Sequence, residues 1–312
     1  MPVVYEDLTQ ISRRLGGSQT SWLACRSHPS GNAPHPLSCG GISPLPCARM
    51  HKRYRAIAEY YDFENARHRM LDEDVSFFLS QIPVARQSVL ELAVGTARAA
   101  IPIAQAGNRV VGVDYAHDML DIARRKRDAV GLGERELSLI EADILELDLR
   151  ERFDWVCVFF NTFLGFTDTA RQDAALQVMR RHLRPGGRLW LDVFNPDLSL
   201  LAKAYVTDLE PFAFHVPRYD RTVFVVTDLR RMPQQVQRVT FRYAWFDAKG
   251  RERRQRIQFD MTYLFERELR LLLERNGLKV EQMFGNYDGS PVGANSPRLI
   301  ARCCPAAGKN LR

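Results

Sequence analysis

The chain has 312 residues, 46% hydrophobic and 26% charged, close to globular averages and enough for one sizeable core plus an embellishment. Its formal net charge of +7 suits an anionic partner, while no apolar run reaches the roughly 18 residues that span a bilayer, which excludes a helical membrane anchor. The six cysteines, at 25, 39, 47, 157, 303 and 304, form no C-x-x-C pair, so a reducing cytoplasm is the expected setting.

Residues 1–49 contain 18 Gly, Pro or Ser and no sustained helical or alternating pattern, and are expected to be a disordered N-terminal extension. The acid-free, Arg- and Ser-bearing composition after Leu8 also suits an organellar transit peptide, and a start at Met50 would make the segment an upstream extension. From Tyr54 the run YRAIAEYYDFENARHRMLDEDVSFFLSQI places apolar residues at helical spacing in two amphipathic helices that end near Pro83.

Residues 88–115 then read as strand, small-residue turn, helix and second strand. Residues 89–92 are an apolar run of the kind buried in a parallel sheet, with Glu91 inside it. Ala93, Gly95 and Ala97 keep side chains clear where backbone must approach a ligand at a helix N-terminus. Asp114 ends the second strand, where open α/β sheets bind ligands and a carboxylate can accept both hydroxyls of a ribose. Nicotinamide dinucleotides and S-adenosylmethionine both use this layout. On the dinucleotide fingerprint G-x-G-x-x-G the chain supplies Gly95, Ala97 and Ala100, so the second glycine, which admits a pyrophosphate, is missing. S-adenosylmethionine carries no pyrophosphate.

An amphipathic helix over 115–132 follows, then a third strand at 137–140 leading into Asp143 and Ile144, and a fourth strand at 153–160 leading into Asn161. A helix at 170–183 is stopped by Arg184, Pro185, Gly186 and Gly187, before a fifth strand at 189–193 with Asn195 just beyond it. Strands at 222–229, 236–247 and 253–265 alternate apolar with polar residues and form a three-stranded antiparallel meander. Residues 218–256 hold eleven Lys or Arg against four acids, a local +7 that suits an anionic substrate or RNA, or equally a solvated sheet face. A helix at 269–275, a strand at 280–284, a long loop and a strand at 298–303 close the chain as a hairpin.

Glu91, Ala93, Gly95 and Ala97 occupy the first motif of the class I S-adenosylmethionine-dependent methyltransferases, and the chain resembles that family, in its small-molecule, methyltransferase domain 25-like branch, over 54–200 and 266–304. Tyr54, Ala58, Tyr61 and Asp62 match a Y-x-x-x-A-x-x-Y-D segment that precedes the motif in many such enzymes. The resemblance implies a Rossmann-like α/β fold: a seven-stranded methyltransferase sheet with an antiparallel last strand, plus the three-stranded insertion. It also implies a domain map with the core at 50–200 and 266–304, an insertion at 201–265 that acts as lid or dimerisation element, and a flexible tail at 305–312.

For the cofactor, S-adenosyl-L-methionine, the resemblance puts Tyr54 and Tyr61 at the methionine end and Glu91, Ala93 and Gly95 at the turn. It puts Asp114 and Tyr115 beside the ribose, Met119, Asp143 and Ile144 around the adenine, and Phe160 near the transferring methyl, with no metal. Acceptor contacts are expected from Tyr61, Asn161, Asn195, His215, Tyr287 and Asp288, none identifiable as a base. Phe-Asn-Thr-Phe at 160–163 is not the Asp/Asn-Pro-Pro-aromatic motif of nucleic-acid amino methyltransferases, so a small-molecule amine is the expected acceptor and nucleic acid is not. The alternatives are an RNA methyltransferase using the basic insertion and a noncatalytic S-adenosylmethionine-binding protein. Sugar N,N-dimethyltransferases and glycine methyltransferases are similar in adding strands after strand five, which also suggests a homodimer through the insertion.

Overall fold

The computed structural model describes residues 58–66, 70–83 and 86–306; Tyr54, His68, the 1–49 extension and most of the 305–312 tail lie outside them. Among the described residues no helix is long and apolar enough to cross a membrane. Residues 58–65 are helical, and α1 (Met70–Gln81) leads into the first strand, β1 (Ser88–Leu92). Then come α2 (Ala100–Gln105), β2 (Arg109–Asp114), α3 (His117–Ala129), β3 (Leu137–Glu141), β4 (Phe153–Val158), α4 (Thr169–Arg181) and β5 (Leu183–Phe194).

These five strands are parallel neighbours in the order β3-β2-β1-β4-β5. All of β1 is buried, as a strand covered on both faces requires. On one face Leu90, Leu92, Val156, Leu176 and Met179 form the larger core. On the other, Phe78 of α1 meets Trp155, Phe159 and Trp190 edge-on at 5.3 to 5.4 Å between ring centres, the arrangement that aromatic quadrupoles favour. Because the chain leaves β1 toward β2 on one side and returns to β4 on the other, strand order reverses between β1 and β4. Their carboxyl ends open the crevice in which such sheets bind ligands.

The far edge is antiparallel, as the terminal hairpin predicts. After α6 (Glu266–Arg275), β10 (Leu278–Phe284) takes the edge, and β11 (Arg298–Pro305) inserts between β10 and β5, antiparallel to both. The fifth strand is longer than the 189–193 expected, starting at Leu183 and running through a register shift opposite Phe153 and Trp155.

Between β5 and α6 lie the short α5 (Leu198–Leu201) and a second sheet of β6 (Tyr205–Val216), β7 (Arg221–Met232), β8 (Val236–Phe246) and β9 (Glu252–Thr262). It has four antiparallel strands, not the three expected. The added strand, β6, escaped notice because Pro211 and two register shifts break its alternation, and an edge position tolerates both. Tyr60, Val223, Val225, Tyr243 and Ile257 bury its apolar face against the helical segment 58–65, where Tyr243 Oη donates to Glu64 at 3.0 Å. On the opposite face the arginines are spoken for: Arg238 pairs with Asp260 at 2.6 and 2.8 Å, and Arg242 with Asp228 and Asp208. Arg251 and Arg253 both reach Asp247. Asp228 and Asp247 are already counted in the local +7, so of these partners only Asp260 and Asp208 offset the excess, and a net positive face remains.

At Gly187 β5 runs tightly against the backbone of β4. A methyl there would sit 2.8 Å from the Phe153 carbonyl oxygen and 3.0 and 3.1 Å from those of Arg184 and Asp154. Backbone cannot yield as a side-chain tip can, so Gly187→Ala is expected to cost about 2 kcal/mol, within the usual range for overpacking. Urea denaturation should show a lower midpoint at unchanged m-value; an unchanged midpoint would mean that the two strands part freely.

Candidate functional site

The exit of β1 is a turn in which Ala93, Gly95 and Ala97, every second residue, have φ of +57°, +54° and +60°. The left-handed region costs an alanine roughly 1 kcal/mol or more, so the turn is held by something outside it. Asp114 at the end of β2 does this, with Oδ2 accepting from the Gly95 N–H and Oδ1 from the Ala116 N–H, both at 2.8 Å. Among the described residues, a Cβ built on Gly95 would meet nothing within 4 Å, so the turn faces open space on that side.

Around this turn the structure gathers most of the residues singled out by sequence. Ala142 N–H donates to the Asp114 carbonyl at 3.0 Å, bringing the exits of β2 and β3 together. Asp143 accepts from Leu145 N–H at 2.9 Å and caps the short turn Ile144–Glu146, in which Ile144 is buried. Met119 is buried with Ala58 and Ala116, and Tyr61 and Tyr115 pack against them. The helical segment is latched to the turn by Asp62, which accepts from Thr96 Oγ1 at 2.7 Å and pairs with Lys126 at 3.0 Å. Phe160 stands at the neighbouring exit of β4.

Glu91 is the electrostatic anomaly of this edge. It is only 4% exposed and its Oε2 has no hydrogen-bond partner. Burial pushes its pKa up to about 8, with Arg98 pulling down and Asp74 and Asp114 adding to the rise. Arg98 itself is fixed by bidentate contacts to the fully buried Asp74, at 2.8 and 2.6 Å. Neither Arg98 nor Asp74 was flagged from sequence. Arg98 directly follows the small-residue turn, but nothing local marks Asp74, 24 residues earlier, as its partner.

The acceptor-side candidates take the following places. Asn195 Nδ2 donates to the Ser296 carbonyl at 2.8 Å, tying β5 to the loop before β11. Tyr287 is buried and donates to Asp192 at 2.8 Å. Asp288 closes an exposed turn on Ser290 N–H. His215 is half exposed on edge strand β6, 3.7 Å from Asp220. Asn195, Tyr287 and Asp288 thus bond within the scaffold, while His215 stays half open to solvent. Tyr61 and Asn161 remain at the edge, and Asn161 Oδ1 accepts from Phe194 N–H at 2.7 Å. Beyond Phe194 lies a cavity of about 260 Å³ walled by Asn195, Pro196, Leu200, Leu201 and Gln237.

S-adenosylmethionine, the cofactor that the resemblance implies, fits this edge. The backbone at Gly95 is open to an approaching ligand among the described residues. Asp114 is pre-aimed by two backbone donors, and Glu91 presents a buried oxygen without a partner. Asp114→Asn is expected to weaken S-adenosylhomocysteine binding in calorimetry by about 10- to 100-fold, the worth of a charge-assisted hydrogen bond; unchanged affinity would place the ligand elsewhere. Glu91 supplies a second test. Its folded pKa lies above the ordinary 4.5, so between 4.5 and about 8 the folded state keeps a proton that the unfolded state has released. Stability therefore falls as pH rises through that window, at up to about 1.4 kcal/mol per pH unit. Glu91→Gln mimics the protonated acid, so its stability advantage over the wild type should grow across the same window in denaturation curves. Parallel pH profiles would contradict a buried, uncompensated carboxyl.

A family model described as a methyltransferase domain matches residues 89–187. The cypemycin N-terminal methyltransferase of a Streptomyces species is 29% identical over 226 residues, covering 72% of this chain and 86% of that protein. The demethylmenaquinone methyltransferase of Thermus thermophilus is 38% identical over 135 residues, 41% of this chain, which spans 58% of the relative's length. Among solved structures, the CcbJ methyltransferase from Streptomyces caelestis has the same fold, with a TM-score of 0.68 at 22% identity, covering 82% of this chain and 98% of its own. Strand order, matched domain and curated relative together support reading this chain as a class I S-adenosylmethionine-dependent methyltransferase.

Proposed function

We propose that the chain methylates a nitrogen of a small-molecule amine. The observation that carries the reading is the chemistry of the β4 exit, where the half-buried Phe160, Asn161 and Thr162 can desolvate and hydrogen-bond an acceptor without titrating. Bound S-adenosylmethionine supplies a methyl group on a positively charged sulfur, already activated for transfer. An uncharged amine brings its own lone pair, so placement and exclusion of water are what the protein must add. The proton that the amine sheds after transfer leaves to solvent.

In this reading Asp114 orients the ribose, Asp143 and Ile144 hold the adenine, and Tyr61, on the segment latched by Asp62, covers the methionine end. Tyr54, Glu91, Ala93, Gly95, Tyr115 and Met119 complete the cofactor contacts. The second sheet, gripping the same helical segment through Tyr60, Glu64 and Tyr243, closes the acceptor side. A relative matched over 226 residues is named for an N-terminus, and an N-terminus is an amine. Several of the arginines that an RNA reading would use, Arg238, Arg242, Arg251 and Arg253, already contact carboxylates within the sheet.

The test is incubation with methyl-labelled S-adenosylmethionine and a panel of amino sugars, amino acids and short peptides, with phenols and RNA alongside, read by mass spectrometry. Label on an amine nitrogen together with S-adenosylhomocysteine release is the expected result. Label confined to oxygen, carbon or RNA would overturn the amine assignment.

A further inference from the structure

The exit of β4 is strained. Phe160 and Asn161 are consecutive non-glycine residues with φ of +46° and +66°, a region that bulky side chains avoid. Such strain persists only where the surroundings over-determine it, and it gathers at functional sites. Here the pair sits at the reversal of strand order, on the carboxyl side of the sheet.

The surroundings that hold it are a buried group contributed by three distant parts of the chain. Asp192, fully buried on β5, accepts through Oδ1 from Arg298 Nε at 3.0 Å and Nη2 at 2.7 Å. Its Oδ2 accepts from Tyr287 Oη at 2.8 Å and from the Phe160 N–H at 3.3 Å. Its carbonyl oxygen accepts from the Asn161 N–H at 3.0 Å. The Arg298 guanidinium lies 5.6 Å from the centre of the Phe160 ring and 5.7 Å from that of Tyr287, within cation–π range of both. One carboxylate residue thus holds the amides of both left-handed residues, and one guanidinium clamps the first ring.

Stability alone is a poor reason for such a group, since apolar residues of similar volume often replace a buried ion pair at no loss. The pair is neutral as a whole and Tyr287 is committed as a donor, so the group offers the reaction neither a net charge nor a proton. What it can offer is geometry. We infer that Asp192, Arg298 and Tyr287 are positioning residues for methyl transfer, holding Phe160 and Asn161 in the left-handed conformation that frames the acceptor at the β4 exit. The inference rests on the functional reading above, because that reading places the acceptor there.

Tyr287→Phe keeps the ring and removes only the donor; Arg298→Lys keeps the charge and removes the fork. Ligand-free crystal structures of the wild type and Tyr287→Phe should show Phe160 or Asn161 leaving the left-handed region in the variant. With an amine that the wild type methylates, kcat should fall about 10- to 100-fold, the scale of a small misplacement of reacting groups. S-adenosylhomocysteine affinity should stay within about twofold, since the cofactor turn at β1 is untouched. A left-handed pair retained in the variant would overturn the inference. So would a lowered melting temperature with kcat and affinity unchanged, the mark of a merely structural role. A wild type that methylates no amine overturns the amine reading instead, and the backbone comparison still decides the network.

Discussion

Two hydrogen bonds to one carboxylate organise this molecule's ligand edge. Asp114 takes the Gly95 and Ala116 amides, and in doing so joins the exits of β1 and β2 while holding open a turn with alternate left-handed residues. Without that acceptor, alanines at 93 and 97 would bear a conformational cost with no compensation. With it, the backbone spirals tightly, side chains stay clear, and the reversal of strand order beside β4 becomes a crevice. Asp192 does for β4 and β5 what Asp114 does for β1 and β2, so the crevice is lined on both sides by strained backbone held on a buried acid.

The covering elements depend on that edge in turn. Residues 58–65 touch the turn through Asp62 and the second sheet through Tyr60 and Glu64, so a small helical segment is the mechanical link between cofactor edge and insertion. The insertion returns to the core through Met261 and Leu264, which pack against the larger cluster.

What could be read from sequence follows from the range of the physics. Strands buried on both faces appear as unbroken apolar runs, so the parallel core, the turn at 93–97 and Asp114 were legible, as was the antiparallel hairpin at the end of the chain. β6 was not, since Pro211 and its bulges erase the alternation that marks a strand. The acceptor-side residues were chosen for polarity in loops, but polarity does not reveal that an amide ties down backbone, as Asn161 does on Phe194 and Asn195 on Ser296. Pairs such as Asp74 with Arg98, or Asp192 with Arg298 at 106 residues' separation, leave no periodic trace. Only the fold shows that each acid has a cation.

The central claim is that the exits of β1 and β4 form one site, with cofactor on the first and acceptor on the second. A crystal structure with S-adenosylhomocysteine tests it most directly. The account predicts the ribose hydroxyls on the Asp114 carboxylate and the sulfur facing Phe160 and Asn161. A ligand whose ribose lies away from Asp114, or whose sulfur points away from the β4 exit, would contradict it.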